Sequence, residues 1–143
     1  MAEIDTNPQS AAGEILVIED DPSLAQLIVY MLSREGFEAL SFSDGEEGLD
    51  AVRRYRPKIL ILDLTLPGMR GDDICRAIRA DSDLRDTFVV VMTALDDREA
   101  RQRVRDAGAD CYMCKPFDPC RLVDVIDDAL RASGRVAASQ PSA

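Results

Sequence analysis

Asp63 directly follows the apolar run Ile59-Leu60-Ile61-Leu62, and Pro67-Gly68 soon stops the chain from continuing as strand or helix. Comparable runs end in Glu19 and Asp20 (after Ile15 to Ile18), in Thr93 (after Phe88 to Met92) and in Lys115 (after Cys111 to Cys114). Each residue alone has an ordinary use: an acid can cap the next helix, Thr93 can cap a turn, and Lys115 can be a surface charge. Buried runs of this kind suit a parallel sheet, whose carboxyl ends open onto one crevice. With neighbouring strands about 4.8 Å apart, these side chains can converge there. Three carboxylates so close repel one another by a few kcal/mol per pair, so a cation should share the crevice. One or two carboxylates with a carbonyl and waters is the way Mg2+ is held, and Lys115 adds a fixed positive charge. A carboxylate beside Mg2+, a Lys and a hydroxyl is arranged to accept a phosphoryl group, with Asp63 as nucleophile and Thr93 bonding a phosphoryl oxygen.

The elements that must position these groups are legible in the hydrophobic pattern. Four-residue apolar runs alternate with stretches of helical periodicity. The first helix runs from Leu24 to Gly36, and a short strand spans Phe37 to Ser41. A second helix opens at Ser43-Asp44-Gly45 and ends before Pro57; a third covers Asp72 to Ala80, and an Arg-rich fourth covers Glu99 to Ala107. The fifth extends from about Pro119 to Ala132. Five strand–helix repeats predict an α/β fold: a doubly wound, five-stranded parallel sheet in the order 2-1-3-4-5, with helices on both faces. Residues 1–13 read as a flexible leader, 14–133 as one domain and 134–143 as a flexible tail.

Composition narrows the function classes. The 143 residues are 46% hydrophobic and 31% charged, with a net charge of −10. That charge argues against direct binding of nucleic acid, which needs clustered Lys and Arg. No apolar run approaches a membrane span and no signal-peptide pattern opens the chain, so the expected location is the cytoplasm. There is no histidine, which removes Ser-His-Asp and Cys-His nucleophiles, His-containing metal sites and imidazole switches. Cys111-x-x-Cys114 has the spacing of half a zinc site or a redox pair, but on a strand residues three apart point to opposite faces.

Four stretches, Ile-Leu-Val-Ile-Glu-Asp-Asp-Pro, Ile-Leu-Ile-Leu-Asp-Leu-Thr-Leu-Pro-Gly-Met-Arg-Gly, Val-Val-Val-Met-Thr-Ala and Gly-Ala-Asp-Cys-Tyr-Met-Cys-Lys-Pro-Phe, resemble the receiver domain of bacterial two-component response regulators in order and spacing. The resemblance covers about Glu14 to Ser133. It implies a flavodoxin-like sheet and phosphorylation of Asp63 by a sensor histidine kinase or histidine phosphotransfer protein. It further implies a Mg2+ site from Glu19, Asp20, Asp63 and the Thr65 carbonyl, with Asp20 and Asp63 as direct ligands. Thr93 and Tyr112 resemble the family's switch pair, Lys115 its phosphate-binding lysine, and Lys115-Pro116 its usual cis bond. The resemblance also implies a downstream protein target or a covalently linked output domain, no contact with nucleic acid or membrane by the domain itself, and a phosphorylation-dependent dimer. In the subgroup with a winged-helix output, an Asp stands where this chain has Cys111 and an Arg where it has Val125. Both belong to that subgroup's charged dimer face.

Three other readings compete. A Mg2+-dependent phosphatase of the haloacid-dehalogenase kind also uses an Asp nucleophile, but asks for a second Asp where this chain has Thr65. A flavin binder on the same sheet would need a phosphate loop where Glu19-Asp20-Asp21 would repel the phosphate. A degenerate receiver that works unphosphorylated would not need the full acid, Thr and Lys set. Finally, Leu24, Leu27, Ile28, Met31 and Leu32 form an inward stripe on the first helix. That leaves Ala25, Val29 and Tyr30 outward, as an expected docking patch for the phosphodonor.

Overall fold

The computed structural model describes residues 14–94 and 98–132. The leader and tail expected at residues 1–13 and 134–143 lie outside these. Strands β1 (Ile15–Ile18), β2 (Ala39–Phe42), β3 (Ile59–Asp63), β4 (Phe88–Thr93) and β5 (Cys111–Cys114) alternate with helices α1 (Pro22–Arg34), α2 (Gly45–Tyr55), α3 (Gly71–Ala80), α4 (Arg98–Asp106) and α5 (Pro119–Ala132). All strand pairs are parallel, in the order β2-β1-β3-β4-β5. This is the doubly wound, flavodoxin-like α/β arrangement that the pattern of runs predicts.

The pleat divides the core into two layers. Leu16, Ile18, Leu60, Leu62, Val89 and Val91 face α2, α3 and α4. Ile15, Val17, Ile59, Ile61, Val90 and Met92 face α1 and α5. Every residue of β1 and β3 is buried, which explains why these strands read as unbroken apolar runs rather than alternating ones.

Several boundaries differ by one or two residues from the sequence expectation. Helix α1 begins at Pro22, two residues early, because Asp21 caps it by accepting from the Ser23 and Leu24 amides, and proline suits a first helical position. At its other end Gly36 takes φ +89°, and the Phe37 amide bonds back to the Leu32 carbonyl. That bond closes a Schellman turn, so Phe37 has no amide for the sheet and β2 starts at Ala39. Strand β4 runs one residue further, through Thr93.

The stripe on α1 is also displaced. Ala25 is 5% exposed and Leu27 46% exposed, the reverse of the expectation. The buried residues are Ala25, Ile28 and Leu32. At about 100° per residue their centre is rotated from Ile28 toward Leu32, which swings Leu27 out and Ala25 in. Val29 is half-buried against the core, and Tyr30 is exposed.

At the amino-terminal end of β4, Arg79 acts as a bolt. Its guanidinium donates to the carbonyls of Gly108, Arg85 and Thr87 and to the Asp110 carboxylate. Asp110 in turn accepts from the Val89 amide. The sheet is thus tied shut at the end away from the acidic residues.

Candidate functional site

The strand register builds the crevice. Ile18 pairs with Leu62, so the residues that follow, Glu19 and Asp63, emerge side by side at the centre of the sheet. Main-chain bonds continue beyond the strands: the Glu19 amide to Phe42, the Leu64 amide to Met92 and the Lys115 amide to Thr93. The crevice floor is therefore fixed by backbone. Gly71, at the start of α3, lies against it; a Cβ there would fall 2.5 Å from the Asp63 carbonyl oxygen. Only glycine permits that approach.

Glu19, Asp20 and Asp63 come together with one carboxylate oxygen from each within 4.8 Å of the others. Glu19 and Asp63 are buried, at 1% and 5% exposure, whereas Asp20 is exposed. Lys115 Nζ reaches Glu19 Oε1 at 2.8 Å and Asp63 Oδ2 at 3.1 Å. The other oxygens also have partners: Glu19 Oε2 accepts from the Asp21 amide, and Asp63 Oδ1 from the Thr65 amide. Burial pushes the Glu19 carboxyl above its ordinary range, and the nearby Asp63 charge adds to that, against the pull of Lys115. Burial alone would lower the Lys115 ammonium, but its hydrogen bonds to Glu19 and Asp63 raise it overall. The cluster holds more negative charge than Lys115 can neutralise.

Thr93 is buried at the end of β4, and Thr65 is exposed in the loop after β3. Tyr112 is half-buried on β5, with the Arg101 guanidinium 5.0 Å from its ring centroid. The Lys115-Pro116 peptide is cis. Cys111 packs toward the α1 and α5 layer, and Tyr112 toward the other. Both Cys111 and Cys114 are free thiols. Ala25, expected in the docking patch, is excluded from it by burial; Tyr30 and the unanticipated Leu27 are the exposed large apolar side chains of α1.

The sequence reading missed Asp72. It opens α3 with a side chain only 4% exposed, and Arg70, Arg76 and Arg103 approach it at 3.1, 3.2 and 3.6 Å. Burial would raise its carboxyl, but hydrogen bonds and charge from the arginines lower it below the ordinary range. Arg76, four residues on, stands at helical distance in the sequence and could have flagged it. Arg103 comes from α4 and could not.

Comparison with known proteins agrees with this geometry. Residues 15–127 match the family described as response regulator receiver domain. The chain is 44% identical over 117 residues to the DNA-binding response regulator MtrA of Mycolicibacterium smegmatis, covering 82% of this chain and 50% of that protein. It is 38% identical over 120 residues to the sensory transduction protein RegX3 of Mycobacterium bovis, covering 84% and 52%. Among solved structures, a signal receiver domain of a histidine kinase from Syntrophus aciditrophicus has a TM-score of 0.79 at 30% identity, covering 85% of this chain and 92% of that one. The BeF3-activated DrrB receiver domain has a TM-score of 0.75 at 30% identity, covering 82% and 96%. This chain belongs to the response regulator receiver domain family. It is a two-component signalling module rather than a conventional enzyme, and it spans about half the length of the curated relatives it matches.

Proposed function

We propose that Asp63 accepts a phosphoryl group from a phosphohistidine of a sensor histidine kinase or histidine phosphotransfer protein. An Asp63 carboxylate oxygen attacks phosphorus, a P–O bond forms, the P–N bond to imidazole breaks, and the imidazole leaves with the electron pair. The observation that carries this reading is the pair of contacts from Lys115 to Glu19 and Asp63. Incoming phosphoryl oxygens can take over that ammonium, leaving Asp63 oriented by the Thr65 amide.

The all-oxygen donor set suits Mg2+: Asp20 and Asp63 as direct ligands, the Thr65 carbonyl beside them and Glu19 in support. When bound, the ion would supply Lewis-acid neutralisation of phosphoryl charge. Thr93 then bonds a phosphoryl oxygen, and Tyr112 turns inward, altering the face made by α4, β5 and α5. The donor docks over the rim of α1, through Leu27, Val29 and Tyr30. The readout is a protein target or a linked output domain, acting in the cytoplasm. No described helix is long and apolar enough to cross a membrane.

Treatment with acetyl phosphate and Mg2+ followed by intact-mass measurement tests the reading. A labile gain of about 80 Da, the mass of a phosphoryl group, is expected in the parent and absent from Asp63→Asn. The same gain in Asp63→Asn would place the acceptor elsewhere.

A further inference from the structure

We infer that the corner between β2 and α2, Phe42 to Gly45, positions the loop that presents Thr65 to Asp63, and that Gly45 is its positioning residue. The role at the site rests on the phosphoryl-acceptor reading above.

The loop from Leu64 to Arg70 is fixed at its two ends. The Leu64 amide bonds to the Met92 carbonyl, and the Gly71 amide returns to the Leu64 carbonyl. Thr65, near the start of the loop, is exposed, and its amide donates to Asp63 Oδ1 at 3.2 Å. The depth of the tip, Pro67 to Met69, is set from outside the loop.

The corner sets it. Gly45 is buried, and its amide donates to the Pro67 carbonyl at 3.1 Å. A Cβ at Gly45 would lie 2.6 Å from the Met69 carbonyl oxygen and 2.9 Å from Met69 Cβ. Carbon and carbonyl oxygen ordinarily meet at roughly 3.3–3.6 Å. The obstacle is main chain, so no side-chain rotation relieves it. Asp44 braces the same tip: its Oδ1 caps α2 through the Glu46 and Glu47 amides, and its Oδ2 lies 3.0 Å from where a Cβ on Gly68 would stand. At the start of the corner, the Phe42 carbonyl accepts from the Glu19 amide at 2.9 Å. One short segment therefore touches both lips of the crevice, Glu19 on one and the Thr65 loop on the other, and fixes their separation.

That separation bears on the chemistry. Mg2+ demands near-ideal octahedral geometry, and misplacing a reacting group by about 1 Å costs up to roughly 100-fold in rate. Only Leu66 stands between Thr65 and Pro67, so a shift of the tip is passed to the Thr65 amide and carbonyl. Gly45 acts through Thr65.

Gly45→Ala in the full 143-residue chain, set beside Gly36→Ala, separates positioning from packing. Gly36 takes φ +89°, and a Cβ there would meet no atom within 4 Å. Its replacement costs stability through backbone strain alone, beyond the end of α1. In the absence of metal, amide exchange at Thr65 should be about tenfold faster in Gly45→Ala and unchanged in Gly36→Ala. Mg2+ affinity should fall by about tenfold in Gly45→Ala only, and phosphoryl uptake from acetyl phosphate should slow with it. Gly68→Ala approaches the same contact from the loop side, and its loss of Mg2+ affinity should be partly restored by Asp44→Ser, which keeps a capping hydroxyl and withdraws the oxygen facing Gly68. If Gly45→Ala loses stability yet keeps the parent's Thr65 exchange and Mg2+ affinity, the corner is a packing element and the inference is overturned. A Gly68→Ala defect indifferent to Asp44→Ser overturns it too. Absence of phosphoryl uptake in the parent sinks the acceptor reading instead, while the metal-free exchange at Thr65 still decides whether the corner positions the loop.

Discussion

At the carboxyl end of the sheet, Glu19 and Asp63, with Asp20 at the rim, share the ammonium of Lys115; at the first turn of α3, Asp72 faces three guanidinium groups. Both places bury carboxylates, and their protonation moves in opposite directions: Glu19 is pushed up and Asp72 down. Burial costs a charge in each case, but only at Asp72 do the partners outweigh that cost. The crevice keeps an excess of negative charge that a cation and a phosphoryl group can discharge. The Asp72 cluster has no such deficit, and its carboxylate ties α3 to α4.

The sharpest separation should come from removing one charge at each place. Asp63→Asn should lose phosphoryl uptake entirely while keeping equal or greater stability toward urea, because like-charge repulsion is relieved. Asp72→Asn should keep uptake yet lose about 1–3 kcal/mol, the usual cost of breaking buried charged hydrogen bonds. If Asp63→Asn proves the less stable of the two, the crevice is a structural site like the other.

The pH dependence of stability gives a second contrast. Asp72 has a folded pKa below its unfolded value, so its contribution is present above that value and disappears as pH falls through the folded one. Asp72→Asn should therefore be costly at neutral pH and nearly silent in acid. Glu19 is raised on folding, so the stability from its neutral form is complete below the unfolded pKa and is lost as pH rises through the folded pKa. Glu19→Gln should stabilise at neutral pH, with the gain shrinking on acidification. Urea unfolding from about pH 3 to 7 would show the two curves diverging, and parallel curves would break the comparison.

A smaller effect is expected from the metal. Mg2+ should raise the melting temperature of the parent and of Asp72→Asn by mass action, but not that of Asp20→Ala. A rise that survives in Asp20→Ala would put the ion outside the crevice. The smallest concerns the rim. Leu27→Glu should change stability by no more than about 0.5 kcal/mol, as exposed substitutions usually do. It should slow phosphotransfer from the protein donor while sparing acetyl phosphate. Equal slowing with both donors would make Leu27 a support for the crevice.

The central acids were legible because two local facts coincide. Unbroken apolar runs mark strands buried on both faces, and the residue after each run must stand at a strand end; Glu19 and Asp63 follow directly, while Lys115 follows the half-buried edge strand β5. Helix α1 was less legible because it is apolar around much of its circumference. Leu24, Leu27, Ile28, Val29, Met31 and Leu32 allow more than one centre for the buried stripe, and only packing against the sheet selects Ala25 over Leu27. The Asp72–Arg103 contact spans two helices, so no spacing within either one encodes it. Phe37 was displaced from β2 by a capping bond that competes for the same amide.

The Arg79 bolt has a mechanical consequence. It grips the carbonyl of Gly108, just past the end of α4, while Arg103 approaches Asp72 from the same half of the helix. Helix α4 is thus held at its carboxyl end, which can serve as a hinge for the arm that runs to Arg98. Nine residues rising 1.5 Å each make an arm of about 13 Å, so a small tilt at the hinge becomes a larger sweep at Arg98. Loosening the hinge with Arg79→Ala should spread faster amide exchange along the whole of α4. An intact hinge should confine fast exchange to the first turn.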